Sequence, residues 1–278
     1  MNFSLTDKAS KYAEKLQLFM DQQVFPAEAT YYSQREEFMK AATPHKLPPV
    51  IEELKRKAKS EGLWNLFLPH LDHGLTVTDY ATLAEITGWS PDIAPEAINC
   101  SAPDTGNMEL LDMFATPQQR KQWLEPLLAG EIRSGFAMTE PDVASSDARN
   151  IKTSIKRDGD DYIINGVKRY ISHADKADFA QVMAATDRSK GSRGGISCFL
   201  VDMNLPGVRI TTKYQTMMGD APCEIVFDNV RVPAKNRVGE EGEGFKFGQK
   251  WLGVGRIKHG ARALGVAERC LDLAIDYA

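Results

Sequence analysis

The run Phe136-Ala-Met-Thr-Glu-Pro-Asp-Val-Ala-Ser-Ser-Asp147 sets hydroxyls, small residues, a proline and acidic side chains side by side, shortly after a helix stop at Gly130. A purely structural segment has little use for so many hydroxyls beside apolar residues. A segment that wraps a flat, phosphate-bearing cofactor does. Short hydroxyls and backbone amides can bond a ring edge that gains negative charge on reduction. Thr139 is the leading hydroxyl, with the amides around Met138 and Thr139 beside it, and Ser145 and Ser146 can bond a pyrophosphate. The competing reading is a Ser- and Asp-rich turn after a helix.

A second group is Asn165-Gly-Val-Lys-Arg-Tyr170-Ile-Ser172, where an aromatic and a hydroxyl stand two apart. On a strand that spacing puts both on one face, the ring to wall a cofactor and the hydroxyl to reach it. The alternative is a plain half-buried strand. A third group, Met218-Gly219 through Phe227-Asp-Asn-Val-Arg-Val-Pro233 and Gly239-Glu-Glu-Gly-Glu-Gly-Phe245, reads as strand, turn and helix entry. The loop Asp187 to Gly195 is basic, and is either an approach to a ligand phosphate or a solvated turn.

These residues need elements to hold them. The first ~130 residues carry helical spacing, with Pro26 interrupting Leu5 to Met39 and a helix from Val50 ending near Gly62. Thr116-Pro117-Gln118-Gln119 predicts a capped helix start with a capping box, and Pro126 and Gly130 close that helix. From residue 133 the pattern alternates, with a hairpin around Asp158-Gly159-Asp160 and strands over Phe179–Ala185, Ile196–Met203, Val208–Lys213 and Glu224–Val232. Ile257, Ala261, Leu264, Ala267, Leu271 and Ala274 restore helical spacing and leave an apolar stripe that expects partner helices. The predicted class is α+β: an N-terminal helical domain (1–132), a middle antiparallel β domain (133–240) and the first helix of a C-terminal helical bundle (241–278).

Composition narrows the classes. The chain has 278 residues, is 42% hydrophobic and 26% charged, and carries a net charge of -4. The signs are interspersed, which argues against nucleic acid as a partner. No apolar run approaches the ~20 residues of a membrane span, and no secretory signal is visible, so a cytoplasmic protein is expected. The scattered Cys100, Cys198, Cys223 and Cys270 read as reduced thiols, and the five histidines lack metal-ligand spacing.

The order of these pieces is decisive. Helical block, Thr139-Glu-Pro run, Asn165-Gly-x-Lys-x-Tyr-x-Ser172, Phe227-x-x-Val-x-Val-Pro233, then Gly242-x-Gly-Phe245 and a long helix: the succession resembles the acyl-CoA dehydrogenase family over essentially the whole chain. The family's flavin-binding signature commonly reads T-E-P-G-A-G-S-D. Asn99-Cys-Ser-Ala-Pro-Asp-Thr-Gly-Asn-Met-Glu109 and Thr139-Glu-Pro-Asp-Val-Ala-Ser-Ser-Asp147 further resemble a branch with members fused to a kinase-like phosphotransferase domain.

The resemblance implies FAD as cofactor, an acyl-CoA substrate, and α,β-dehydrogenation to a trans-2-enoyl-CoA in fatty acid β-oxidation. It also implies an electron-transferring flavoprotein as acceptor and a homotetramer. Phe136, Met138 and Thr139 match the flavin-edge positions. Ser146, aligned on the Ser-Asp pair, matches the residue touching flavin phosphate and substrate, with Ser145 as fallback. Tyr170, Ile171 and Ser172 match the flavin wall, with Tyr for the usual Trp and Ser for the usual Thr. Val254, Gly255 and Arg256 match the substrate side.

The catalytic Glu is the departure. In most members it lies late in the C-terminal domain, beyond the position matching Ala278. In a minority it falls at Gly255, which cannot abstract a proton. Glu240, Glu241 and Glu243 belong to an entry loop. No catalytic residue is therefore expected in this chain, which reads as a fragment that alone retains FAD weakly or not at all and does not turn over. The alternatives are a related flavin monooxygenase or nitroalkane-oxidase-like enzyme, and a non-catalytic binding or assembly chain.

Overall fold

The structure, a computed structural model, describes residues 4–43, 46–69, 71–145, 147–216 and 221–278. The chain divides into two units, one of residues 1–105 with 252–278, the other of residues 106–251. Ser146, Met218 and Gly219 lie outside the described residues.

The first unit is helical: α1 (Asp7–Phe19), α2 (Phe25–Lys40), α3 (Pro49–Ser60), α4 (Val77–Gly88) and α5 (Ala94–Ala97), and it takes the start of α6 (Asp104–Phe114). Its core gathers Leu16, Phe19, Met20, Ile51, Leu54, Leu63, Phe67 and Leu83, all essentially without solvent contact. Thr76 opens α4 with a complete capping box to Asp79. Gly62, at φ +68°, ends α3 in the left-handed conformation that a glycine adopts without a Cβ penalty.

Pro26 does not break its helix, contrary to the sequence expectation. A π-helical turn, Met20–Val24, joins α1 to α2, and the Phe25 N–H reaches back five residues to the Met20 carbonyl. Proline clashes with the carbonyl four residues before it. The wider turn moves that carbonyl aside. The device recurs in the second unit, where Arg120–Leu124 is π-helical between α7 (Pro117–Gln119) and α8 (Glu125–Ala129), just ahead of Pro126. The predicted capping box of Thr116 and Gln119 is present, and Gly130 at φ +71° ends α8.

An eight-stranded sheet fills the second unit: β1 (Ser134–Ala137), β2 (Ser154–Asp158), β3 (Asp161–Ile171), β4 (Phe179–Ala185), β5 (Ile196–Asp202), β6 (Val208–Lys213), β7 (Cys223–Pro233) and β8 (Arg237–Val238). Their order is β6-β7-β3-β2-β4-β5-β8, with β1 paired to β4. Pairing is antiparallel except where β1 and the first residue of β2 meet β4 in parallel. The core of one face holds Ile155, Tyr162, Ile164, Val182, Phe199, Ile225, Phe227 and Val230. α9 (Gly244–Tyr277) starts in this unit and continues into the first beyond Trp251. Among the described residues no helix is long and apolar enough to cross a membrane.

β3 carries two irregularities against β7, one between Ile164 and Gly166 and one between Lys168 and Ile171. At the first, Asn165 accepts the Asn229 N–H at 2.8 Å and closes the gap. Gly166 sits at φ +154°, where an added Cβ would lie 2.7 Å from the Thr153 Cα. Gly166→Ala is therefore expected to destabilise the sheet unit by about 1–3 kcal/mol through overpacking. A lower denaturant midpoint at unchanged slope would show it.

Candidate functional site

The chain leaves β1 at Ala137 and passes through Met138, Thr139 and Glu140 alongside the end of β3. Phe136, Met138 and Thr139 are half-buried, and Glu140 is buried. The Thr139 hydroxyl donates to the Arg169 carbonyl at 2.6 Å, and the Thr139 carbonyl accepts the Arg169 N–H at 2.9 Å. The hydroxyl's proton is thus committed inside the protein, and its oxygen is left to accept only.

Beneath the loop stands Lys168, fully buried on β3. Its Nζ donates to the Met138 carbonyl at 2.8 Å and to Glu140 Oε1 at 2.9 Å. Glu140 also accepts the Lys152 N–H at 2.7 Å and the Thr153 N–H at 2.9 Å. Burial pushes the Lys168 ammonium down to about 8, with Glu140 opposing part of that fall. Burial alone would raise the Glu140 carboxyl. The Lys168 charge and the hydrogen bonds from Thr153 and Lys152 outweigh it and hold the group below its ordinary value. Sequence reasoning passed over both residues as parts of motifs. The signal was available: a lysine on a strand otherwise apolar on its inner face, within reach of an acidic residue in a neighbouring segment.

Ser145 is buried, and its oxygen accepts the Glu140 N–H, which closes the loop from inside. Ser146, the preferred phosphate-binding serine, lies outside the described residues. Asp147 caps a 3-10 turn over Ala148–Asn150 and pairs with Arg149. The basic loop is a closed turn: Asp187 accepts from Ser189 and pairs with Lys190, while the Arg188 side chain donates to the Lys152 carbonyl.

The two-residue alternation expected of Tyr170 and Ser172 does not hold. Arg169 and Tyr170 oppose Glu224 alone, which makes a β-bulge, and Tyr170 takes φ +62°, a conformation costly for a bulky side chain. The residue is 60% exposed, and its ring lies 5.0 Å from the Tyr214 ring. Glu224 anchors the bulge by accepting from Arg169 at 2.7 Å, Thr211 at 2.9 Å and Tyr214 at 3.2 Å. Ile171 is in the core, leaving only its backbone for a ligand, and Ser172 is exposed in the following turn. Phe136 meets Trp251 edge to face at 5.3 Å. The Trp251 indole N–H is buried without an acceptor among the described residues. Gly106 makes room for that ring, since a Cβ there would lie 2.7 Å from it.

Val254, Gly255 and Arg256 lie on the part of α9 that belongs to the first unit, Gly255 buried and Arg256 exposed. The entry-loop carboxylates are engaged: Glu241 accepts the Tyr162 hydroxyl at 2.8 Å, Glu240 lies 3.5 Å from Arg237, and Glu243 pairs with Lys246 at 2.7 Å. The four cysteines form no disulfide, and among the described residues no cluster could hold a metal ion.

Residues 135–230 match the family profile "Acyl-CoA dehydrogenase, middle domain", and residues 242–278 match "Acyl-CoA dehydrogenase, C-terminal domain". The chain is 53% identical to "Probable acyl-CoA dehydrogenase FadE2" of Mycobacterium tuberculosis, covering 99% of this chain and 68% of that one. The chain belongs to the acyl-CoA dehydrogenase family. "Acyl-CoA dehydrogenase family member 11" of Mus musculus is 46% identical over 99% of this chain, but the match spans only 36% of the mouse protein. The solved butyryl-CoA dehydrogenase of Megasphaera elsdenii superposes with a TM-score of 0.80 at 31% identity, covering all of this chain and 70% of that one. A glutaryl-CoA dehydrogenase from Mycobacterium smegmatis, solved with FADH2, shares the fold with a TM-score of 0.76 at 24% identity.

In this acyl-CoA dehydrogenase family member the Glu140–Lys168 pair is also a stability element. Lys168→Met leaves the Glu140 carboxylate buried without its counter-charge, a loss expected to cost about 3–5 kcal/mol by chemical denaturation. The Glu140 carboxyl titrates lower in the folded chain than its unfolded value of 4.5. Its contribution is therefore intact above that pH and is lost as acid protonates it in the fold. Between about pH 5 and about pH 3, Glu140→Gln should lose less stability than the parent.

Proposed function

We propose that the chain carries the flavin-holding part of an FAD-dependent acyl-CoA dehydrogenase that converts an acyl-CoA to a trans-2-enoyl-CoA. The observation that carries this reading is the Met138–Thr139 loop. It is anchored on its inner side to Lys168 and Arg169 and leaves the Thr139 N–H without an acceptor among the described residues. A rigid, unspent amide donor suits a ring edge that accumulates charge. FAD, when bound, supplies the hydride-accepting ring.

The chain's own residues would then divide the work. The Thr139 N–H would hold the ring edge, and the Thr139 oxygen, limited to accepting, would face a ring N–H. Phe136 and the exposed ring of Tyr170 would bound the flavin, with Ser172 and the Ile171 backbone completing the wall. Ser146 would meet phosphate and substrate, and Val254, Gly255 and Arg256 would border the acyl-CoA. No residue of the 278 is assigned the proton-abstracting role. An electron-transferring flavoprotein as acceptor and a homotetrameric assembly complete the proposal.

Anaerobic titration of the full protein with acyl-CoAs of graded length tests it. Loss of the flavin's visible absorbance with at least one chain length is expected, and a flavin that stays oxidised with all of them would sink the dehydrogenase reading.

A further inference from the structure

A trans peptide unit points its carbonyl and its N–H in opposite directions. The Met138 carbonyl is turned inward onto the Lys168 ammonium at 2.8 Å. The N–H of the same unit belongs to Thr139 and so faces away from the buried lysine. The other polar groups of Thr139 and the Glu140 N–H are engaged: the Thr139 carbonyl takes the Arg169 N–H, the Thr139 hydroxyl serves the Arg169 carbonyl, and the Glu140 N–H serves Ser145. Of the polar hydrogens of Thr139 and Glu140, only the Thr139 N–H is left unspent by the described residues. What fixes its direction is the grip on Met138.

That grip is held by a charge where an apolar side chain would serve the fold. Buried ion pairs contribute little net stability, and well-packed apolar replacements are often neutral or better. Lys168 nevertheless has no solvent exposure and is countered by Glu140 at 2.9 Å. A hydrogen bond from an ammonium is stronger than one from a neutral donor, and it polarises the amide whose carbonyl it takes. The N–H at the far end of that amide becomes the better donor.

We infer that Lys168 is a positioning residue for the flavin edge: braced by Glu140, it holds the Met138 carbonyl inward and thereby aims and polarises the Thr139 N–H toward the ring. The inference rests on the flavin reading above. A better donor favours the reduced, more negative ring over the oxidised one, so Lys168 should raise the flavin's midpoint potential. A residue that only packs the loop would change the affinity for both redox states alike.

The test compares the full-length parent protein with its Lys168→Met variant, each loaded with FAD, by measuring the midpoint potential and the dissociation constants of oxidised and reduced flavin. Lys168→Met should weaken reduced-flavin binding about tenfold more than oxidised-flavin binding, which is a fall of about 30 mV in a two-electron potential. The double variant Lys168→Met/Glu140→Gln guards against misfolding. It buries no unpaired charge and keeps an oxygen for the Thr153 N–H. It should show the same fall. An unchanged potential in whichever variant folds, with both affinities reduced equally, overturns the positioning role while leaving the flavin reading intact. A full-length parent protein that takes up no FAD overturns both.

Discussion

The buried pair of Lys168 and Glu140 is the constraint on which the sheet unit's organisation turns. Four stretches of chain converge on it: the loop leaving β1, the Lys152–Thr153 approach to β2, β3 itself, and the turn that brings Ser145 back under Glu140. Neither charge tolerates burial alone, because a lone ion in a low-dielectric interior loses far more hydration than it recovers. Each stretch must therefore arrive together with the others. The course of the loop after β1 follows from satisfying these two charges, which fixes a segment that has no regular secondary structure of its own.

The second organising feature is the irregularity of β3. A regular strand would send Tyr170 and Ser172 to one face in plain alternation. The bulge at Arg169 and Tyr170 stops the alternation, turns Tyr170 into the left-handed region and frees its ring to solvent. Glu224 receives this bulge on one side and the irregularity of β6 at Thr211 on the other, so one carboxylate steadies both strands. Strained backbone at a candidate site persists only where the surroundings over-determine it. Three donors on Glu224 are such surroundings.

Local signals read well from the residues alone. The capping box at Thr116, the hairpin at Asp158 and the strands Phe179–Ala185 and Val208–Lys213 each depend on contacts within a few residues or on simple alternation. Long-range choices did not read. Nothing in four residues of β1 announces that they pair in parallel with β4, some 45 positions on at Ser134 and Phe179. The meeting of Glu140 and Lys168, and the sinking of Ser145, depend on how separate segments close in space. The direction of the Thr139 hydroxyl proton is set by the Arg169 carbonyl, thirty positions away, and needed coordinates.

The two π-helical turns carry a consequence of a different kind. Each spends one extra residue within a helix, and in a spiral of 3.6 residues per turn one residue is about 100° of rotation. Met20–Val24 and Arg120–Leu124 therefore act as phase shifters, so a face buried before the turn does not line up with the same heptad positions after it. A chain of this family that gained or lost a single residue at either point would change the rotational phase of everything downstream on that helix while keeping its axis. Length differences there are a means of re-aiming side chains, and alignments that force such helices into one uninterrupted register will pair residues whose directions differ by about 100°.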